Sequence, residues 1–146
     1  MAVVIKRYAH TWKLIHTGIV NPYSDTLKLA LVTSAYTVSL AHTQWADVSA
    51  YEVASGDGYS TGGVALASPV ATNTTIDFDD PVWTALTKTF RYVVCYASKT
   101  AGGLTNPLVF YILPDSTPAD IIQIGSNYSI NINATDKLFY DPTPPS

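Results

Sequence analysis

The hydrophobic pattern of this chain changes period several times, and most of the periods are short. Leu27, Leu29 and Leu31 alternate with Lys28, Ala30 and Val32, which predicts a strand of about seven residues. Only Lys28 among the interleaved residues is charged, so the second face of that strand is expected to be partly covered as well. At the N-terminus strict alternation fails. Val4, Tyr8, Trp12 and Ile15 recur at spacings of four, four and three, with Gly18 at a C-cap position and His16 in the last turn. This predicts a helix over residues 5–17 with Tyr8 and Trp12 on its apolar stripe. Asn21-Pro22 marks the turn that follows.

Beyond the Leu27 strand, residues 34–40 extend it or form a loop. Thr43 is placed to cap one helical turn carrying Trp45 and Val48, and residues 51–53 return to extended structure. Ser55-Gly56-Asp57-Gly58 and Gly62-Gly63 read as turns with positive φ. The second half reads as β throughout. VATNTTIDF over residues 70–78 is rich in β-branched side chains, and Asp79-Asp80-Pro81 turns the chain. Residues 82–84 predict a short strand, and TFRYVVCYA over 89–97 the best core strand. Gly102-Gly103 then marks a hairpin loop leading to PLVFYIL at 107–113. Residues 114–119 read as a loop. Tyr128, Ile130 and Ile132 give a half-buried strand that residues 138–140 would pair with.

Many short strands with few helices predict a mainly β, single-domain β-sandwich, jelly-roll-like or Greek-key, with one short N-terminal helix. The long connection between the Leu27 and Val70 strands argues against a simple meander. The sandwich is assigned residues 1–140. The tail DPTPPS, residues 141–146, is too proline-rich for ladder or helix and reads as an extended arm.

Composition fits one domain of 146 residues, 47% hydrophobic, with a core that needs neither metal nor disulfide. Charged residues make up 13%, against about 25% in an ordinary soluble domain. Either partners cover much of the surface or the surface is rich in Ser and Thr. The net charge is −3 and the eight basic residues are scattered, which argues against direct nucleic-acid binding. The single cysteine, Cys95, lies in the apolar run RYVVCYA and is expected to be buried. No stretch approaches the roughly 20 apolar residues of a membrane span. In MAVVIKRYAHTWK the basic residues follow a very short apolar run, the wrong order for a signal peptide, so synthesis in a cytoplasm is expected.

Candidate chemistry is sparse. His10 and His16 are six residues apart, about 240° net around a helix, so they do not share a face. Asp77, Asp79 and Asp80 form the one carboxylate cluster, but D-F-D-D-P lacks the ligand spacing and glycine of an EF-hand. GDGYSTGG lacks the Lys-Ser/Thr of a phosphate loop, and no G-x-S-x-G elbow occurs. No catalytic, metal or cofactor residue is assigned. Ten tyrosines and three tryptophans remain, which suit either a core or an interface.

At LKLALVTSAYT followed by TQWADVSAYEVASGDGYSTGG the chain resembles a family of small structural proteins of tailed bacteriophages. The similar stretches are residues 25–37, 45–53, 56–63, 77–83, 90–96 and 107–112, within a span of residues 4–140. Pro81 and the tail depart from the family pattern. The resemblance implies a non-enzymatic virion protein, made in the host cytoplasm. Its implied role is a capsid decoration (cement) protein on the outer capsid surface. Its partners would then be the major capsid protein and further copies of itself, with no nucleic acid or membrane partner. A head–tail adaptor, tail or fibre-base component is the alternative, and a carbohydrate-binding attachment module a third. The residues expected to face a partner are Tyr8 and Trp12 on the helix, and Asp141, Pro142, Pro144 and Pro145 in the arm.

Overall fold

The computed structural model describes residues 4–72, 76–115, 117 and 119–130. It is a β-sandwich with one short helix. Strand β1 (Val4–Arg7), helix α1 (Thr11–His16) and strand β2 (Leu27–Val32) come first. Two single 3-10 turns follow, Trp45–Asp47 and Ser49–Tyr51. The later strands are β3 (Val64–Ala65), β4 (Val70–Ala71), β5 (Ile76–Asp77), β6 (Val82–Phe90) and β7 (Tyr92–Ala97). Last come β8 (Thr100–Ala101), β9 (Leu104–Thr105), β10 (Leu108–Leu113) and β11 (Ile121–Ser129).

The large sheet has five strands in the order β1-β10-β7-β2-β3, every pair antiparallel. The first strand lies beside the last of the set, so the order is not that of a simple meander. The small sheet is the antiparallel pair β6–β11. Its inward side chains, Trp83, Leu86, Phe90, Ile121 and Tyr128, pack into one cluster with Leu29, Leu31, Val93, Cys95, Phe110 and Ile112 of the large sheet. This layer is the main core, aliphatic and aromatic together.

Period-2 alternation then dictates a second core on the opposite face of the large sheet. Ala30, Val32, Val94, Tyr96 and Tyr111 face that way, and with Tyr8, Tyr36 and Val48 they form a separate buried cluster. The cover is the connection between β2 and β3. It is laced down by Trp45 N–H to Asn106 O, Leu108 N–H to Thr43 O, Ala9 N–H to Leu40 O and Val53 N–H to Leu31 O. The expectation that β2 is covered on both sides therefore holds, and only Lys28 in that strand is not fully buried.

Three sequence-based boundaries are corrected. Residues 4–7 are a strand, not the first turn of a helix. They pair with the β10 edge, Ile5 opposite Ile112 and Arg7 opposite Phe110, and α1 shrinks to six residues. So short a helix has little intrinsic stability, and the ladder to β10 outweighs a helical spacing of only four apolar residues. Gly18 does end the helix, at φ 76°, donating its N–H to Ile15 O. Residues 82–90 form one nine-residue strand rather than a short one. The run 89–97 is not a single strand either: Arg91 breaks it where the chain passes from the small sheet to the large one. Arg91 fixes this corner, donating its N–H to Val32 O and its Nε–H to Asp120 Oδ1 at 2.9 Å. The expected strand at 138–140, Ile132 and the arm 141–146 lie outside the described residues.

Candidate functional site

The side chains that could serve a function gather in three places: the tyrosine-rich core, the glycine turns and the outer face of the small sheet. The first is built where α1 meets β10. A bulge between Leu108 and Phe110 interrupts the β10–β7 ladder. The Val109 carbonyl at this bulge accepts the Tyr8 N–H and the Thr11 hydroxyl, while the Leu108 carbonyl accepts the His10 Nε2–H at 2.8 Å. Residues leading into α1 thus satisfy the carbonyls at the bulge.

This docking turns Tyr8 into the core, where it is 2% exposed. Its ring meets Tyr111 edge-on at 6.0 Å; Tyr111 meets Tyr92 at 6.1 Å; Tyr92 meets Tyr36 at 5.7 Å. A 3.2 Å hydrogen bond between the Tyr8 and Tyr36 hydroxyls closes the circuit. Tyr36 also hydrogen-bonds His42 Nδ1 at 2.8 Å. Burial, reinforced by the bond to Tyr36, holds the Tyr8 hydroxyl far above its ordinary pKa, so it stays neutral and serves as a hydrogen-bonding group rather than a base. The hollow under α1, lined by Thr11, Leu14, Ile15, Val20, Leu108 and Val109, is too tight to admit a water molecule. What this arrangement can do is lock the β2–β3 connection onto the sheet.

The second place is the GDGYSTGG turn. Glu52 Oε1 accepts both the Tyr59 hydroxyl and the Gly62 N–H at 2.6 Å, and Tyr59 in turn accepts the Leu31 N–H. Tyr96 donates to Gly62 O at 2.7 Å, and burial pushes its pKa up to about 12. Two glycines here are required by space. A Cβ on Gly58 would sit 2.6 Å from Thr84 O, and one on Gly63 would overlap the Leu29 carbonyl; both have positive φ. The turn is a spacer that seats backbone on β6 and β2. Asp47 caps the first 3-10 turn, accepting N–H groups from Thr43 and Gln44, and these bonds, that of Thr43 foremost, lower its pKa.

The third place went unnoticed in the sequence. On the outer face of the small sheet Ile122 is 65% exposed, Ile124 80% and Val82 47%. Ile122 pairs with Thr89 at one end of the ladder and Val82 with Ser129 at the other, with Thr84 and Thr87 exposed between them. The alternation of β11 before Gly125 would have revealed Ile122 and Ile124 as one face, had the strand been read from Ile121 onward.

Of the residues expected to face a partner, Tyr8 is corrected: its ring is interior and its hydroxyl is engaged. Trp12 is half-buried on α1, stacked on exposed His16 at 5.8 Å with the Arg7 guanidinium 4.8 Å from its ring. Asp141, Pro142, Pro144 and Pro145 lie outside the described residues. Each of the three histidines has its own neighbour, the Leu108 carbonyl for His10, Trp12 for His16 and Tyr36 for His42, and no group of three metal-ligating side chains occurs among the described residues. Cys95 is fully buried, and burial raises its pKa well above the usual thiol value. No helix among the described residues is long and apolar enough to cross a membrane. Comparison of the chain with protein-family models, curated proteins and solved structures finds no match.

Proposed function

We propose that this chain is a non-enzymatic virion protein of a tailed bacteriophage, a decoration (cement) protein that sits on the outer capsid surface and bridges major capsid subunits. One observation carries the reading: the segments that bear the phage-family resemblance serve here as joints of the sandwich. Residues 25–37 include the interior strand β2. Residues 45–53 cover its second face, and Glu52 within them clamps the turn at 56–63. That turn is seated against β6 and β2. A body tied at each of these points deforms little under load, which is what a bridge between subunits requires.

The mechanism is linkage. Packaged DNA pushes capsid subunits apart, and a protein that binds the closed lattice better than separated subunits shifts the balance toward the closed lattice. No chemical step is needed, only a stiff block and complementary surfaces.

Particles assembled with and without the chain test this. Particles lacking it are expected to rupture at lower temperature and milder osmotic shock. Equal thresholds would remove the stabilising role. Copy number per particle separates this reading from the head–tail alternative: a count following the shell lattice supports decoration, whereas about six or twelve follows tail symmetry.

A further inference from the structure

We propose that the Tyr8–Tyr36–His42 hydrogen bonds form a proton-sensitive latch: neutral His42 holds the β2–β3 connection on the large sheet, and a proton on its Nδ1 loosens that cover. The three groups stand in a row. The Tyr36 hydroxyl lies between the Tyr8 hydroxyl, at 3.2 Å, and His42 Nδ1, at 2.8 Å. Each tyrosine has one proton to give. Both rings are 2% exposed, and the Tyr8 hydroxyl has Tyr36 as its one hydrogen-bond partner among the described residues. The row therefore has two contacts, and each contact holds one proton. With Nδ1 bare the count closes: Tyr8 donates to Tyr36, Tyr36 donates to Nδ1, and His42 carries its own proton on Nε2. A proton on Nδ1 makes three protons for two contacts. One hydroxyl is then left buried with no acceptor for its proton, which a fold tolerates poorly. His42 is half-buried, so the proton can reach it from solvent.

The neighbouring titratable groups offer no rescue. Tyr51 of the second 3-10 turn and Tyr92 of β7 meet the Tyr36 ring at 5.8 and 5.7 Å, and Tyr111 of β10 meets Tyr8 and Tyr92, but none of these three hydroxyls bonds into the row. Asp47, in the first 3-10 turn, has its pKa lowered chiefly by the Thr43 N–H and further by charge on His42, so its carboxylate and an imidazolium there attract one another. His10 does not share the behaviour. Its Nε2–H donates to the Leu108 carbonyl, a bond that imidazole and imidazolium make alike. The backbone bonds nearest His42 are Ala9 N–H to Leu40 O and Leu108 N–H to Thr43 O, and these tie the cover to α1 and β10.

The latch belongs to the isolated chain and stands without the virion reading, so the two fail separately. Amide exchange of the purified full chain tests it, expressed as protection relative to the unstructured rate at each pH. Imidazole nitrogen shifts of His42 record when Nδ1 gains its proton. As the pH is lowered from 8, the Ala9 and Leu108 amides should lose protection by roughly tenfold or more in step with that proton, the effect of one stranded buried donor. The β2–β7 ladder should keep its protection. In His42→Asn, which offers a fixed acceptor and takes up no proton, protection should not vary with pH. In Tyr36→Phe it should start lower and also stay level, because the contact with His42 is gone. Unchanged protection of Ala9 and Leu108 once Nδ1 is protonated overturns the proposal. So does a fall that persists in either variant, or one that the β2–β7 ladder shares.

Discussion

The two sheets of this sandwich treat solvent in opposite ways. The five-stranded sheet is closed on both faces: aliphatic residues and the small sheet cover one, and tyrosines beneath the β2–β3 connection cover the other. Its edges are short or charged, with β3 two residues long and β1 carrying Lys6 and Arg7. The small sheet buries its inner face and leaves isoleucines on its outer one. Apolar side chains therefore do different jobs in the two places. In the large sheet they hold the fold, and on the outer face of the small sheet they stand in solvent.

The sharpest way to break this contrast is to make one kind of cut in both sheets. Leu31→Ala, in the closed sheet, is expected to cost about 2–5 kcal/mol by denaturant titration, because it leaves a cavity between packed layers. Ile122→Ala, on the open face, should stay within about 0.5 kcal/mol for the monomer. Comparable losses would erase the distinction.

A smaller effect belongs to the tyrosine circuit. Tyr36→Phe strands both the Tyr8 hydroxyl and His42 Nδ1, with an expected loss of about 1–3 kcal/mol. Tyr8→Phe removes only the shared bond and should cost less. A double-mutant cycle should show the two coupled, and strict additivity would show that the hydroxyl bond is not what closes the cover.

The mildest perturbation is alkali. In the unfolded chain tyrosine ionises near 10.0, whereas Tyr96 in the fold is pushed up to about 12, with Tyr8 and Tyr59 raised in the same direction. Above pH 10.0 the unfolded chain releases protons that the folded chain still holds, so stability present below that pH falls between 10.0 and about 12. The share of tyrosinate absorbance that comes from these buried rings should appear together with the loss of circular dichroism. Ionisation of every tyrosine near 10.0 with the fold intact would mean that these hydroxyls are not sequestered.

Where burial is symmetric or the turn chemistry is local, the sequence was readable. The two-sided strand β2, the Gly102-Gly103 hairpin and the positive-φ turns at 56–58 and 62–63 follow from composition and spacing alone. What stayed hidden depends on distant partners. Whether residues 4–7 join a helix or a strand is decided by the edge of β10, about a hundred residues away along a chain whose contacts here are non-local. The break at Arg91 is invisible in TFRYVVCYA, because only the second sheet gives the chain a reason to turn there. The tyrosine circuit was unreadable for the same reason, since its four members come from four separate segments. The isoleucine face failed differently. Its alternation is present in IIQI, but a bulge at Gly125 shifts the phase before Tyr128, and a strand read back from Tyr128 misses it.

Amide hydrogen exchange tests the division between the two sheets most directly, comparing the dilute chain with the same chain concentrated and, where particles are in hand, particle-bound. Strands β2, β7 and β10 should be strongly protected in every state, whereas β6 and β11 should gain protection only on association. Equal protection of β11 in the dilute monomer and in the assembled state, or a gain confined to the large sheet, would contradict the division into a closed sheet and one open to solvent.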